Sequence, residues 1–170
     1  MDGIDWIWFP KSSRPHDLAR SIVTVFQNVE LSITSDSRDL PSNEVLRKIE
    51  PGLTSLGFKV ETGKKDDEKI VVPVLYGRKG VPEKSFNADA YCEEKGFVVE
   101  VEAGRAVVNN QFLKDLFQAC MMNEVKYLCI AVRKRYREQN DFERVVIYFE
   151  ALYSSNRLEL PLKGILVVGY

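Results

Sequence analysis

Residues 86–103, FNADAYCEEKGFVVEVEA, decide the fold of this chain because they have the pattern of a β-hairpin with two chemically different faces. With a turn at 94–95, Asp89 pairs with Glu100, and Glu102 lies two residues further along the same strand. Side chains alternate across a strand, so these three carboxylates share one face. The other face is apolar and is predicted to be core; it holds Phe86, Ala88, Ala90, Cys92, Phe97, Val99, Val101 and Ala103.

The turn position has one alternative. A turn at 95–96 pairs Asp89 with Glu102 and keeps the two faces sorted, whereas a three-residue loop would mix them, because a one-residue slip flips every side chain. Like charges opposite each other destabilise a strand pair by a few tenths of a kcal/mol or more. A hard divalent cation such as Mg²⁺, which takes carboxylate and phosphate oxygens, would offset that repulsion. The alternative is an edge hairpin with a solvated polar face.

Composition sets broad limits. The 170 residues predict one domain, and 45% hydrophobic with 29% charged residues is typical of a soluble globular protein. A net charge of −1 provides no overall basic field, so nucleic-acid binding would need local patches. Three cysteines in apolar contexts predict reduced core residues in a cytoplasmic protein, and a single histidine without CxxC spacing argues against zinc. Neither a membrane helix nor a signal peptide is predicted.

Hydrophobic periodicity extends the prediction outward from residues 86–103. The predicted helices are 15–33, 42–57 (capped by Ser42 or Asn43 and interrupted at Pro51), 109–122 and 141–153; the predicted strands are 58–62, 70–76, 127–132 and 164–169. Pro73 favours an edge position or a bulge for its strand. The aromatic lead-in of Trp6, Trp8 and Phe9 covers one end of the core or forms a partner surface.

In this order of elements the chain resembles the PD-(D/E)XK nucleases, the restriction endonuclease-like superfamily. That core has a helix, three strands with Asp on the second and Glu-x-Lys or Glu-x-Glu on the third, then a helix and a further strand. Asp89 in NADAY and Glu100 and Glu102 in VVEVEAG carry the resemblance, which covers roughly 43–132.

The resemblance implies an α/β fold with a restriction endonuclease-like core, a central mixed β-sheet flanked by helices. It implies a single nuclease-like domain over 1–170. Within that domain, 1–41 would be a lead-in and helix, 42–132 the catalytic core, and 133–170 a C-terminal helix and strand.

The resemblance also implies roles for individual residues. Asp89, Glu100 and Glu102 would be catalytic, and Asp89 and Glu100, with Glu44 from the preceding helix, would bind Mg²⁺ or Mn²⁺. Two positions depart from the usual pattern: Ala88 replaces a proline, and Glu102 replaces a lysine, as in a minority of restriction enzymes. Glu102 would then accept the proton of the attacking water.

Two of these residues have a plainer interpretation. Lys114 on the following helix would supply the displaced positive charge, or is a surface lysine. Glu44 is a cation ligand or an ordinary helix glutamate.

A basic run follows the strand 127–132. Arg133, Lys134, Arg135 and Arg137 in RKRYR are predicted to contact nucleic acid, since each could neutralise a phosphate. The alternative is a solvated loop. Further cations in turns could extend this rim; they are Lys64, Lys65, Arg78, Lys79, Lys84 and Arg105.

Three functions remain open from the sequence. The first is a metal-dependent endonuclease that hydrolyses DNA phosphodiester bonds, with the type II restriction kind as one form, acting as a homodimer away from membranes. The second is a non-catalytic nuclease-fold protein that binds nucleic acid or a protein partner. The third is an unrelated α/β domain with solvent-facing carboxylates. The Gln-x-x-x-Tyr pattern of RecB-like nucleases is absent, because Met122 follows Gln118 at that spacing.

Overall fold

The computed structural model describes residues 3–170, so residues 1 and 2 of the predicted lead-in lie outside the described part. In chain order the elements are β1 (Asp5–Phe9), α1 (Asp17–Asn28), α2 (Glu30–Ile33), α3 (Ser42–Ser55), β2 (Lys59–Val60), β3 (Ile70–Tyr76), β4 (Pro82–Ala88), β5 (Ala90–Cys92), β6 (Phe97–Glu102), α4 (Gln111–Met121), β7 (Tyr127–Val132), α5 (Asp141–Ser155) and β8 (Gly164–Gly169). Six strands form a mixed sheet in the order β1-β8-β7-β6-β5-β2, and β3 and β4 form a separate two-stranded ribbon.

Parallel strands occupy the centre of the sheet. β6, β7 and β8 are parallel, and α4 and α5 make the crossovers between them. β7 and β8 are almost wholly buried, as their continuous apolar runs predict. Helices α1 and α3 pack on one face of the sheet, and α4 and α5 pack on the other. The predicted α/β class, with a central mixed sheet flanked by helices, is confirmed.

The hairpin has the first of the two predicted registers. Cys92 pairs with Phe97 and Ala90 with Val99, which corresponds to a turn at 94–95. However, the prediction of one continuous strand before that turn is wrong. The strand breaks at Asp89: β4 pairs with β3, whereas β5 pairs with β6. As a result Ala88 packs on the α4 and α5 side of the sheet, while Ala90 packs on the α1 and α3 side.

Two further regions differ from the sequence prediction. The aromatic lead-in forms β1, which runs antiparallel to β8 at the sheet edge, with Trp6 opposite Val168. The predicted helix 15–33 is divided, because α1 ends at Asn28 and only the short α2 follows. Pro73 does disturb its strand as predicted, since the pairing of β3 with β4 shifts register between Pro73 and Leu75.

The structure also bears on the expectations from composition. No helix among residues 3–170 is long and apolar enough to cross a membrane. Cys92 and Cys129 are buried and Cys120 is half-buried, and all three are free thiols. They therefore belong to the packing of the domain, as predicted.

Candidate acidic active site

A cleft of about 370 Å³ opens where β4 leaves the main sheet, and acidic side chains from several elements line it. The strand break contributes Asp89, β6 contributes Glu100 and Glu102, and α4 contributes Lys114 and Asp115. The other lining residues are Ser42, Glu61, Ser85, Phe86, Asn87, Ala88, Val101 and Gln118. The structure thus brings together the three carboxylates that the hairpin pattern singled out.

Backbone geometry explains why the acids converge. Val98 packs on the α4 side of the sheet, so Glu100 and Glu102, two and four residues later, face the same side. Because β4 leaves the sheet at Asp89, the Val101 N–H lacks a partner strand there, and it donates to Asp89 Oδ2 at 2.8 Å. The Asp89 carbonyl in turn accepts a hydrogen bond of 2.7 Å from the Glu61 N–H, just after β2.

Burial strongly perturbs Asp89. Loss of solvent raises the pKa of this carboxyl to about 7. The hydrogen bond from Val101 opposes that rise by stabilising the charged form, whereas the nearby charges of Glu61 and Glu102 add to it. Asp89 therefore gains most from a positive partner when the pH is above neutral.

Glu100 and Glu102 have the same tendency. Burial raises the pKa of Glu100 well above its ordinary value, and repulsion from Asp89, Asp115 and Glu102 raises it further. Burial also raises the pKa of Glu102, although its hydrogen bond with Asp115 and the charge of Lys114 lower it. The cleft therefore holds several closely spaced carboxyl groups that repel one another when charged, and Lys114 is a positively charged neighbour.

Two acidic residues of this cleft, Asp115 and Glu61, were not predicted from the sequence. Asp115 lies on the buried side of α4, three residues after Phe112 and four before Ala119, whereas the apolar Phe117 on the same helix is exposed. Glu61 follows β2; burial raises its pKa, while Lys69 and a hydrogen bond with Asp89 oppose the rise. Helical spacing could have identified Asp115, but the position of Glu61 depends on the pairing of β2 with β5.

Of the two other residues predicted for this site, Lys114 lines the cleft and Glu44 does not. Lys114 lines the cleft, and its charge lowers the pKa of Glu102. Glu44 is not among the lining residues and forms an ion pair with Arg47 on the next turn of α3. The structure therefore brings Lys114 to the site and leaves Glu44 outside it.

The basic run 133–137 divides into an internal and an exposed part. Arg133 is only 6% exposed and donates to the Asp39 carboxylate and to the Leu40 carbonyl. Lys134 is also largely enclosed and donates to the Gly3 carbonyl. These two side chains hold the loop against the N-terminal half of the chain and are not exposed to a polyanion.

Arg135 and Arg137 are exposed at the same end of the sheet as the cleft. The loop that carries them is anchored by Tyr136, whose ring packs against Gly104, two residues beyond the end of β6. Gly104 has φ +89, a conformation that favours glycine, and a Cβ there would overlap the ring. The loop thus lies beside the strand end that carries Glu102.

The donor chemistry of the cleft suits a hard cation. All of its acidic groups offer oxygen ligands, which Mg²⁺ and Mn²⁺ favour. The buried Oδ2 of Asp115 has no hydrogen-bond partner. Within 3–170, however, no group of three or more His, Cys, Asp or Glu side chains is already arranged to hold a metal ion. The side chains of the cleft therefore match a hard cation in the chemistry of their oxygen ligands.

Comparison with known proteins bears on the fold. The chain matches no protein-family model and no curated protein. It is similar to a crystal structure of the restriction endonuclease BglII in complex with a DNA 16-mer, with a TM-score of 0.53 and 16% sequence identity. The match covers 98% of this chain and 75% of the BglII chain. The chain therefore has a restriction endonuclease-like fold, as its order of elements predicted.

Proposed function

We propose that this chain is a metal-dependent endonuclease that hydrolyses DNA phosphodiester bonds, with a type II restriction activity as the specific form. The observation that supports this most is the position of Asp89, Glu100 and Glu102, which line one cleft of a restriction endonuclease-like fold. The crowding of these carboxyls disfavours their charged forms in the cation-free protein. A divalent cation bound in this cleft would offset the repulsion among the carboxylates and could also bind a phosphate.

We assign cation binding and proton transfer to different residues of the cleft. Asp89 and Glu100 would hold Mg²⁺ or Mn²⁺, whereas Glu44 is not assigned to the cation because it pairs with Arg47. The cation, when bound, would neutralise the scissile phosphate and lower the pKa of the attacking water. Glu102, which lines the same cleft, would take the proton of that water as a general base.

Exposed cations around the cleft would hold the DNA backbone. Arg135 and Arg137 lie at the end of the sheet that carries Glu102, and Lys114 lies on the cleft wall. The ribbon of β3 and β4 carries Arg78 and Lys79 at its exposed tip and leads directly into the strand break at Asp89. The BglII neighbour was crystallised with DNA, which supports the same class of partner.

A homodimer is part of the proposal, since two copies of the cleft would address the two strands of a duplex. Helices α4 and α5 pack on the same face of the sheet and carry exposed apolar side chains suited to association, which are Phe117, Met121, Ile147 and Tyr148. Light scattering of the purified chain coupled to size exclusion would test this state.

Cleavage of a complex substrate tests the activity. Genomic DNA is incubated with the protein in Mg²⁺, Mn²⁺ or EDTA, so that no recognition sequence has to be known. We expect cutting in either cation, none in EDTA, and a loss of at least a hundredfold in Asp89→Asn and Glu100→Gln. Glu44→Gln is the matched control and should keep the wild-type rate. Full metal-dependent cutting by both cleft variants would refute the proposal.

A non-catalytic DNA-binding protein is the second candidate. The observation in its favour is that no three acidic side chains among the described residues are arranged to hold an ion. It predicts DNA affinity that falls with salt but is the same in EDTA and Mg²⁺, and is unchanged in Glu102→Gln. A cation-dependent rise in affinity would exclude it.

A further inference from the structure

Asp115 is a buried acidic residue in the wall of the cleft, and the reaction steps assigned above do not use it. It is only 7% exposed, it lies on α4, and its Oδ2 has no hydrogen-bond partner. Among residues 3–170 one other aspartate is buried with unpartnered carboxylate oxygens, namely Asp141 at the start of α5. Of these two aspartates only Asp115 lines the cleft.

Burial without a hydrogen-bond partner is costly for a polar atom, and more costly for a charged group. An apolar side chain in the buried arc of α4 would avoid that cost. Asp115 instead contacts Glu102 through a hydrogen bond, and their proximity works against two charged carboxylates. A water molecule could satisfy Oδ2 but would leave the repulsion among the carboxyls, whereas a divalent cation relieves both.

We propose that Asp115 is a further ligand, contributed by α4, of the divalent cation in this cleft. The inference rests on the proposed function, because the cation is the one assigned there to Asp89 and Glu100. The cation would thereby connect the helix to the end of β6, where Glu102 lies. The neighbouring Lys114 cannot have this role, since its ammonium group is positively charged and offers no lone pair to a cation.

Asp115→Asn separates a ligand from a merely structural residue. An asparagine keeps the size of the side chain and can still hydrogen-bond Glu102, so a structural role survives the change. It loses the negative charge and one ligand oxygen, so a cation-binding role does not. Asp141→Asn is the matched control, because it neutralises an equally buried aspartate outside the cleft.

The test measures Mn²⁺ binding by calorimetry and the cation-induced rise in melting temperature, for wild type, Asp115→Asn, Asp141→Asn and Glu100→Gln. We expect Asp115→Asn to weaken Mn²⁺ binding about tenfold or more and to reduce the rise in melting temperature accordingly. Asp141→Asn should bind as tightly as wild type. Melting in EDTA verifies that each variant folds, and Asp115→Leu, which suits a buried helix position, is a second variant for the same measurement.

The outcomes distinguish this inference from the proposed function. If Asp115→Asn and Asp115→Leu bind Mn²⁺ as tightly as wild type while Glu100→Gln does not, Asp115 is not a ligand and the proposed metal site stands. If wild type binds neither Mn²⁺ nor Mg²⁺, with or without a DNA duplex, both the inference and the metal-dependent function are overturned. A loss of binding equal to that in Asp141→Asn would also refute the inference, because it would reflect only the removal of a buried charge.

Discussion

Replacing Asp89 by asparagine is expected to stabilise the cation-free protein, and the gain should grow as the pH rises. The carboxyl of Asp89 is buried, and its pKa in the folded state is about 7. Between the unfolded value of 3.8 and about 7, the folded state therefore binds more protons than the unfolded state. The contribution of Asp89 to the free energy of unfolding therefore falls with rising pH across that window, whereas asparagine has no charge to bury.

The size of the effect follows from the same pKa. A rise from 3.8 to about 7 corresponds to about 4 kcal/mol of lost stability once the pH is well above 7. At about pH 5 roughly 2 kcal/mol of this is already lost, so the advantage of Asp89→Asn should increase by about 2–3 kcal/mol between about pH 5 and about pH 8. For a domain of this size that corresponds to roughly 5–10 °C in melting temperature.

Urea unfolding in EDTA at several pH values measures this difference directly. EDTA is needed because a bound cation would neutralise the same charge. Asp67→Asn is the matched control, since it makes the same chemical change at a carboxyl that is exposed to solvent. The argument fails if the difference between Asp89→Asn and wild type is the same at about pH 5 and about pH 8.

Three further predictions concern the ends of the parallel strands. Arg133→Ala should lower the free energy of unfolding by about 2 kcal/mol in urea unfolding, because it removes a buried guanidinium bound to Asp39; an unchanged midpoint would contradict this. Arg137→Ala should leave stability within about 0.5 kcal/mol of wild type but reduce the salt dependence of DNA affinity by about one unit of slope, measured by anisotropy, and an unaltered slope would exclude a phosphate contact. Gly104→Ala should cost more than about 1 kcal/mol in thermal unfolding, since its φ is positive and a Cβ would overlap Tyr136, and a variant as stable as wild type would refute that packing.

Much of the fold could be predicted because its signals are local. The alternation of residues 97–102 and the two-residue turn before them determine the hairpin register, so the pairing of Cys92 with Phe97 and of Ala90 with Val99 could be predicted. The apolar runs 127–132 and 164–169 coincide with β7 and β8. Each of these features depends on residues close together in sequence, where periodicity is informative.

The rest depends on contacts between distant segments. The break at Asp89 arises because β4 pairs with β3 instead of continuing along β6, and no local pattern marks that choice. Arg133 resembles any exposed loop arginine in sequence, yet it is buried and donates hydrogen bonds to Asp39 and Leu40, more than 90 residues earlier in the chain. The burial of Asp115 within α4 likewise follows from how the helix is rotated against the sheet, which also leaves Phe117 exposed.

The strand break makes Asp89 both a structural and a chemical residue, and this determines how the site should be tested. Its carboxylate accepts the Val101 N–H that the departing strand leaves unpaired. Alanine at this position would abolish that hydrogen bond as well as the charge, so lost cleavage could be a folding defect of about 1–3 kcal/mol. Asparagine keeps the acceptor oxygen and removes only the charge. A variant that is more stable than wild type in EDTA and yet inactive in Mg²⁺ would therefore connect the cost of burying the charge to the chemistry, because a folding defect cannot produce that combination.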